Sequence, residues 1–195
     1  MKLGKGLLLV LALTLGVGSA FAQSIDMVGD PAGTTCSGTL MPGTTPFLYI
    51  IARQGPNAPD GITGAEFWVS GFPATWLSIV TPNPASAVAL GSPFATTPPF
   101  RANIAFPACQ PWSGNGIIPL YTIQVIPLSV VGETYLQVQI ANPPSNIDYT
   151  GPIVTLCDPP IFTAVVVDGG TFIMNGRPCT VSVEEKTWSQ VKALY

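Results

Sequence analysis

Hydrophobic residues in this chain fall into short runs separated by Pro, Gly, Asn and Ser. The runs are PFLYIIAR (46–53), ITGAEFWVS (62–70), WLSIV (76–80), FRANIAF (100–106), IIPLYTIQV (117–125), ETYLQVQIA (133–141), IFTAVVV (161–167) and TFIM (171–174). IDMVG (25–29) is a further edge candidate. Several short strands at this spacing, with turn residues between them, predict an all-β, antiparallel β-sandwich. No helix-period segment of useful length appears between Gln23 and the last fifteen residues.

Alternation assigns faces, because neighbouring strand side chains point to opposite sides. Leu136, Val138 and Ile140 are expected inward, with Tyr135, Gln137 and Gln139 outward. Phe100, Ala102, Ile104 and Phe106 are inward, with Arg101 and Asn103 outward. Ala65, Phe67 and Val69 are inward, with Glu66 and Trp68 outward. PFLYIIAR is apolar on both faces and reads as a central strand. In VVVDGGTFIM, Asp168-Gly169-Gly170 supplies residues suited to a tight hairpin turn.

Two segments break the sandwich pattern. Residues 1–22 read as a signal peptide: Lys2 and Lys5 precede the apolar run GLLLVLALTLGVG, and Ala20 and Ala22 give a small-residue cleavage site before Gln23. The run is shorter than the ~20 residues that span a bilayer. Residues 23–180 form the expected β-sandwich domain, and 181–195 a tail. In TWSQVKALY, Thr187 and Gln190 make a capping box, and Trp188, Val191, Leu194 and Tyr195 lie on one stripe, with Lys192 near the C-terminus. A short amphipathic helix of about two turns is too small to stand alone in water. The tail therefore reads as a sorting, anchoring or docking signal; the alternative is a last helix packed on the sandwich.

Composition narrows the chemistry. Proline (21) and glycine (20) are frequent without a period, and 47% of residues are hydrophobic, which favours a packed core over collagen or disorder. Lys2 and Lys5 lie in the leader, so 5 of the 7 basic residues remain against 10 acidic ones, a net of −5. Arg53, Arg101 and Arg177 are scattered, which argues against nucleic acid or an anionic membrane surface as partner. There is no histidine, so triads and metal sites built on imidazole are excluded. Cys36, Cys109, Cys157 and Cys179 have no metal-binding spacing and read as two disulfides of an exported protein. Cys157 lies eleven residues before Asp168 and Cys179 eleven after it. A hairpin centred on Asp168 would pair Cys157 with Cys179 and leave Cys36 with Cys109.

The order of motifs resembles that of cohesin-like modules over residues 25–150. GITGAEFWVSGFPATWLSIVTPNP is similar to their amphipathic strand, small loop and short second strand. GNGIIPLYTIQVIPLSVVGETYLQVQI is similar to their later strand pair. The resemblance implies a non-catalytic sandwich, cohesin-like or immunoglobulin-like, that holds partners at cell surfaces or in secreted assemblies. The cysteines and the 161–174 segment depart from that pattern, so no binding residues carry over. The opening DPAGTTC and the ending TWSQVKALY also resemble exported proteins of environmental bacteria, a likeness that implies no activity.

Candidate chemistry is sparse. Ser189 to Lys192 matches S-x-x-K, but the companion motifs of penicillin-recognising enzymes are missing. A small glycoside hydrolase would need two carboxylates roughly 5–10 Å apart, yet the acids fall mostly in turns or at strand ends, with Glu66 the one acid in the interior of a main strand run. Trp68, Glu66, Tyr135, Gln137, Gln139 and Asn103 share one expected outer face, the residue set of a carbohydrate-binding module. Single outward aromatics are common, so that face reads as ordinary surface first. The expectation is an exported binding or structural module of the cell envelope or extracellular space, needing no cofactor, with a protein or glycan partner.

Overall fold

The computed structural model describes residues 23–55, 58, 60–158 and 162–179. The expected leader (1–22) and the expected tail helix (181–195) lie outside the described residues. The described chain is a sandwich of two mixed sheets. The first contains β1 (Ser24–Val28), β3 (Phe47–Arg53), β5 (Leu77–Pro82), β8 (Ile117–Ile126) and β12 (Asp168–Gly169), in the order β12-β1-β3-β8-β5. The second contains β4 (Gly61–Ser70), β9 (Thr134–Gln139), β10 (Ile153–Leu156), β11 (Ala164–Val166), β13 (Thr171–Met174) and β2 (Ser37–Gly38), in the order β11-β10-β4-β9-β13-β2. On the other side of β4 lies β7 (Ala102–Pro111), which carries β6 (Val88–Gly91).

The inward faces form one core. Ile25, Met27, Leu48, Ile50, Leu120 and Ile123 from the first sheet meet Phe67, Val69, Ile104, Leu136, Val138 and Phe172 from the second. Deep burial of this many large side chains supplies the main drive for folding. The alternation read from the sequence holds for β4, for Leu136 and Val138, and for Ala102, Ile104 and Phe106. It fails at Phe100, which precedes the first residue of β7 and packs on outward Trp68. It also fails at Ile140, which follows β9 and is only half-buried, while Ala141 is buried.

β3 is central, as its two apolar faces predict. Its outer face joins Val28, Ile51 and Ile117, with Tyr49 against them, in a second small cluster. The loop after β1 lies over it. Gly33 takes a φ of 73°, and a Cβ there would sit 2.8 Å from the Ile51 side chain, so glycine lets the loop lie flat on the cluster. Asp30 ties the loop down by accepting from the Thr34 and Thr35 backbone N–H groups at 2.9 and 2.6 Å. Arg53 ion-pairs with Asp26 and donates to the Gly33 carbonyl at 2.5 Å.

The expected hairpin over 161–174 is not formed. β11 pairs with β10, β12 runs parallel to β1, and β13 pairs with β9 and, in parallel, with β2. Two parallel pairings thus make the sheets mixed where antiparallel ones were expected. The glycines serve close approach instead of a turn. A Cβ on Gly169 would strike the Val138 carbonyl, and one on Gly170 the Asp26 carboxylate. Asp168 donates to Gln23 O (3.1 Å), Gly170 donates to Ile25 O (2.9 Å), and Val138 donates to Gly170 O (3.0 Å). Residues 168–170 therefore bond to both sheets at once.

The cysteine pairing changes with it. Cys36 bonds Cys179, with Cα atoms 5.8 Å apart, and Cys109 bonds Cys157, at 5.7 Å. The expected Cys157–Cys179 and Cys36–Cys109 pairs are both replaced. The reason is strand partnership: β13 runs beside β2, so the Ile173 N–H reaches Cys36 O (2.9 Å). Gly61 faces Pro111 across β4 and β7, and Cys157 donates to Gly61 O (3.0 Å), which brings Cys157 to Cys109.

Candidate functional site

The six residues of the expected ligand face do share the outer side of the second sheet. Glu66 lies directly across from Asn103 of β7 and from Ile153 of β10. Trp68 lies across from Gln139, and Ser70 from Gln137. They do not form one open platform. The Trp68 ring packs on Phe100, with centroids 5.1 Å apart, and its Nε1–H donates to the Ala95 carbonyl at 3.1 Å. An indole held this way is already partnered on one face and at its polar tip. The Gln139 amide donates to Gln137 at 3.3 Å. The Tyr135 hydroxyl donates to Glu133, and that bond together with the negative charge beside it raises the phenol above its ordinary pKa.

Glu66 points to the outer side as expected, but it is buried. Only 7% of it is exposed, and it is the one charged residue in the buried set of described residues. The segment after β9 folds over it. Asn142 and Phe100 exchange backbone hydrogen bonds of 2.8 and 2.9 Å, and the Ser145 N–H then donates to Glu66 Oε1 at 2.8 Å. The Asn103 amide, turned so that its nitrogen faces the carboxylate, donates to Oε2 at 3.1 Å. Two neutral donors thus hold the carboxylate in place.

Glu66 lines a groove of about 540 Å³ on the outer side of β4, β7 and β10. Gly64 and Ala105 belong to its floor strands, and Tyr149, Phe162 and Pro107 also line it. Cys109 of the second disulfide borders it. Glu66 is the only carboxylate among these lining residues. Among the described residues no three of His, Cys, Asp and Glu gather to hold a metal ion. Sequence reading found Glu66 and Asn103 but missed Tyr149, Phe162 and Ser145. Ser145 and Tyr149 sit in an irregular segment that only the folding of 142–149 over β4 brings in, and Phe162, inside the run 161–167, arrives through the pairing of β11 with β10. The tail residues Trp188, Val191, Lys192, Leu194 and Tyr195 lie outside the described residues.

No protein-family model matches the sequence, and no curated protein matches it. The structure is similar to the cohesin module of a Clostridium perfringens family 33 glycoside hydrolase, at a TM-score of 0.51 and 9% identity, over 80% of this chain and 98% of that one. It also matches the seventh ScaB type I cohesin of Pseudobacteroides cellulosolvens, at a TM-score of 0.48 and 10% identity over 81% of this chain and 95% of that one. A non-cellulosomal cohesin of Archaeoglobus fulgidus matches at 0.43 and 14% identity over 78% and 90%. The Clostridium perfringens likeness shows the fold: a cohesin-like β-sandwich.

Proposed function

We propose that this chain is an exported, non-catalytic module that holds a protein partner at the cell envelope or outside the cell. The observation that carries the reading is the groove beside Glu66. It is large enough for a side chain of a partner, and its one carboxylate is held by Ser145 and Asn103. Hydrolysis of a glycosidic bond uses two carboxylates, and this groove offers one. A sugar platform uses a free aromatic face, and Trp68 is covered by Phe100 and anchored to Ala95. The cohesin-like fold favours partner holding, since the Clostridium perfringens relative in structure is a module of a larger enzyme. Two disulfides and the leader sequence favour an oxidising compartment outside the cytoplasm. The tail 181–195 serves in this reading as the envelope sorting or docking signal.

The test pairs a glycan array with affinity capture from the native host, followed by calorimetry against each captured protein after purification. A blank array and a saturable one-to-one protein complex are expected. Saturable binding to a glycan, with no purified protein that binds, would overturn the reading.

A further inference from the structure

We propose that the groove beside Glu66 receives a basic side chain, arginine or lysine, from the protein partner; the inference rests on the partner-holding reading above. A carboxylate offers about four lone-pair positions. Ser145 and Asn103 occupy one on each oxygen, and both are neutral. A buried carboxylate is ordinarily paired with a cation. The described chain supplies none here. Arg53 is committed to Asp26, and neither Arg101 nor Arg177 lines the groove. A cation from outside would complete the site.

The rest of the groove fits the remainder of such a side chain. Gly64, Ala105 and Ala108 are small and leave room along the floor. Tyr149 and Phe162 line it with aromatic surface, and Phe162 is 56% exposed. Aromatic faces attract a guanidinium or ammonium and also cover an aliphatic stem. Beyond the groove, Val88 and Leu90 of edge strand β6 stand directly across from Ala105 and Asn103, both exposed. That apolar rim gives the partner's main body a surface to rest on. The chain after the leader carries a net charge of −5, which steers a basic partner toward it.

The experiment titrates the isotope-labelled mature chain, tail included, with acetyl-arginine amide, acetyl-lysine amide, the same lysine compound acetylated on its side-chain nitrogen, and N-acetylglucosamine. Saturable shifts of the Gly64, Asn103, Ala105 and Ser145 amides are expected with the two cations only. Glu66→Gln should weaken them about tenfold or more, as loss of a charge-assisted bond implies. This variant keeps the acceptor for Ser145, and Asn103 can turn its own oxygen to the new amide. If Glu66→Gln does not fold, Phe162→Ala replaces it; Phe162 belongs to neither core cluster, and its loss should weaken the cations several-fold. No response to either cation, or an equal response to the blocked lysine or the sugar, overturns the proposal. The same variants are assayed against the purified partner. Undiminished partner affinity in Glu66→Gln refutes the groove assignment and leaves the partner reading intact. Saturable cation binding with no protein partner refutes the partner reading instead.

Discussion

Cys36 and Cys179, 143 residues apart in sequence, lie with their Cα atoms 5.8 Å from each other, and the bond between them ties the loop after β1 to the segment that follows β13. Closing so long a loop restrains the unfolded chain strongly. Replacing both cysteines by serine should cost roughly 2–5 kcal/mol. Peptide mapping without reduction should recover Cys36 joined to Cys179 and Cys109 joined to Cys157. Recovery of Cys157 joined to Cys179 would show that the strand order around β13 is wrong.

The crossing at Gly169 gives a second expectation. An added Cβ meets the Val138 carbonyl, which belongs to a rigid strand and has no room to retreat. Gly169→Ala should destabilise by about 1–3 kcal/mol. A Cβ added at Gly114 would meet nothing within 4 Å, so Gly114→Ala should stay within about 0.5 kcal/mol of the parent. Denaturant midpoints of the two variants decide the matter, and equal midpoints would mean that Gly169 is an ordinary turn residue.

Stability should fall at both extremes of pH. Burial of Tyr121 pushes its phenol up to about 12 from 10.0. The folded state therefore favours the neutral phenol. Its contribution is complete below pH 10 and is lost as pH rises from there toward 12. Tyrosinate absorbance should show one of the five tyrosines ionising together with unfolding, and Tyr121→Phe should move that transition to higher pH.

On the acid side, burial of Asp30 opposes its ionisation. It is outweighed by hydrogen bonds from Thr35 and Thr34, which hold the carboxyl below 3.8. The Asp158 carboxyl is likewise lowered by the Thr163 hydroxyl and N–H. A lowered carboxyl contributes above its unfolded pKa and loses that contribution as pH drops through the folded value. Asp30→Asn should flatten the acid limb below about pH 4. An unchanged limb would mean that the loop over Ile51 is held by its apolar contacts alone.

A chain ending at Cys179 tests the tail. Its melting temperature should match that of the full mature chain, while its position in the native host changes. A sharp drop in melting temperature with unchanged localisation would make the tail a part of the core.

The strands that could be read from sequence are those whose own pattern carries the signal. In β4, Ala65, Phe67 and Val69 alternate cleanly, and β3 and β8 are long apolar runs bounded by Gly and Pro. β2, β6 and β10 escaped at two to four residues long, while the equally short β11 and β13 were caught inside the apolar runs 161–167 and 171–174. In β6 every residue is exposed, so no alternation exists to read. Asp168-Gly169-Gly170 misled because glycine answers two needs, positive φ in turns and close backbone approach, and local sequence does not separate them. Glu66 was placed on the correct side, but its burial depends on residues 142–149 arriving from 79 positions away, at Ser145. The groove was invisible for the same reason.

The meeting of β1 with β12, and of β2 with β13, has a consequence for how the molecule is made. β1 and β2, the first two strands among the described residues, find these neighbours only in β12 and β13, more than 130 residues later. Until the chain beyond Gly169 emerges, β1 lacks one flank and the Val138 amide lacks the carbonyl of Gly170. Contacts that span almost the whole chain form slowly, because a large loop must close before they give anything back. A nascent chain of this protein therefore cannot complete either sheet until β12 and β13 have emerged.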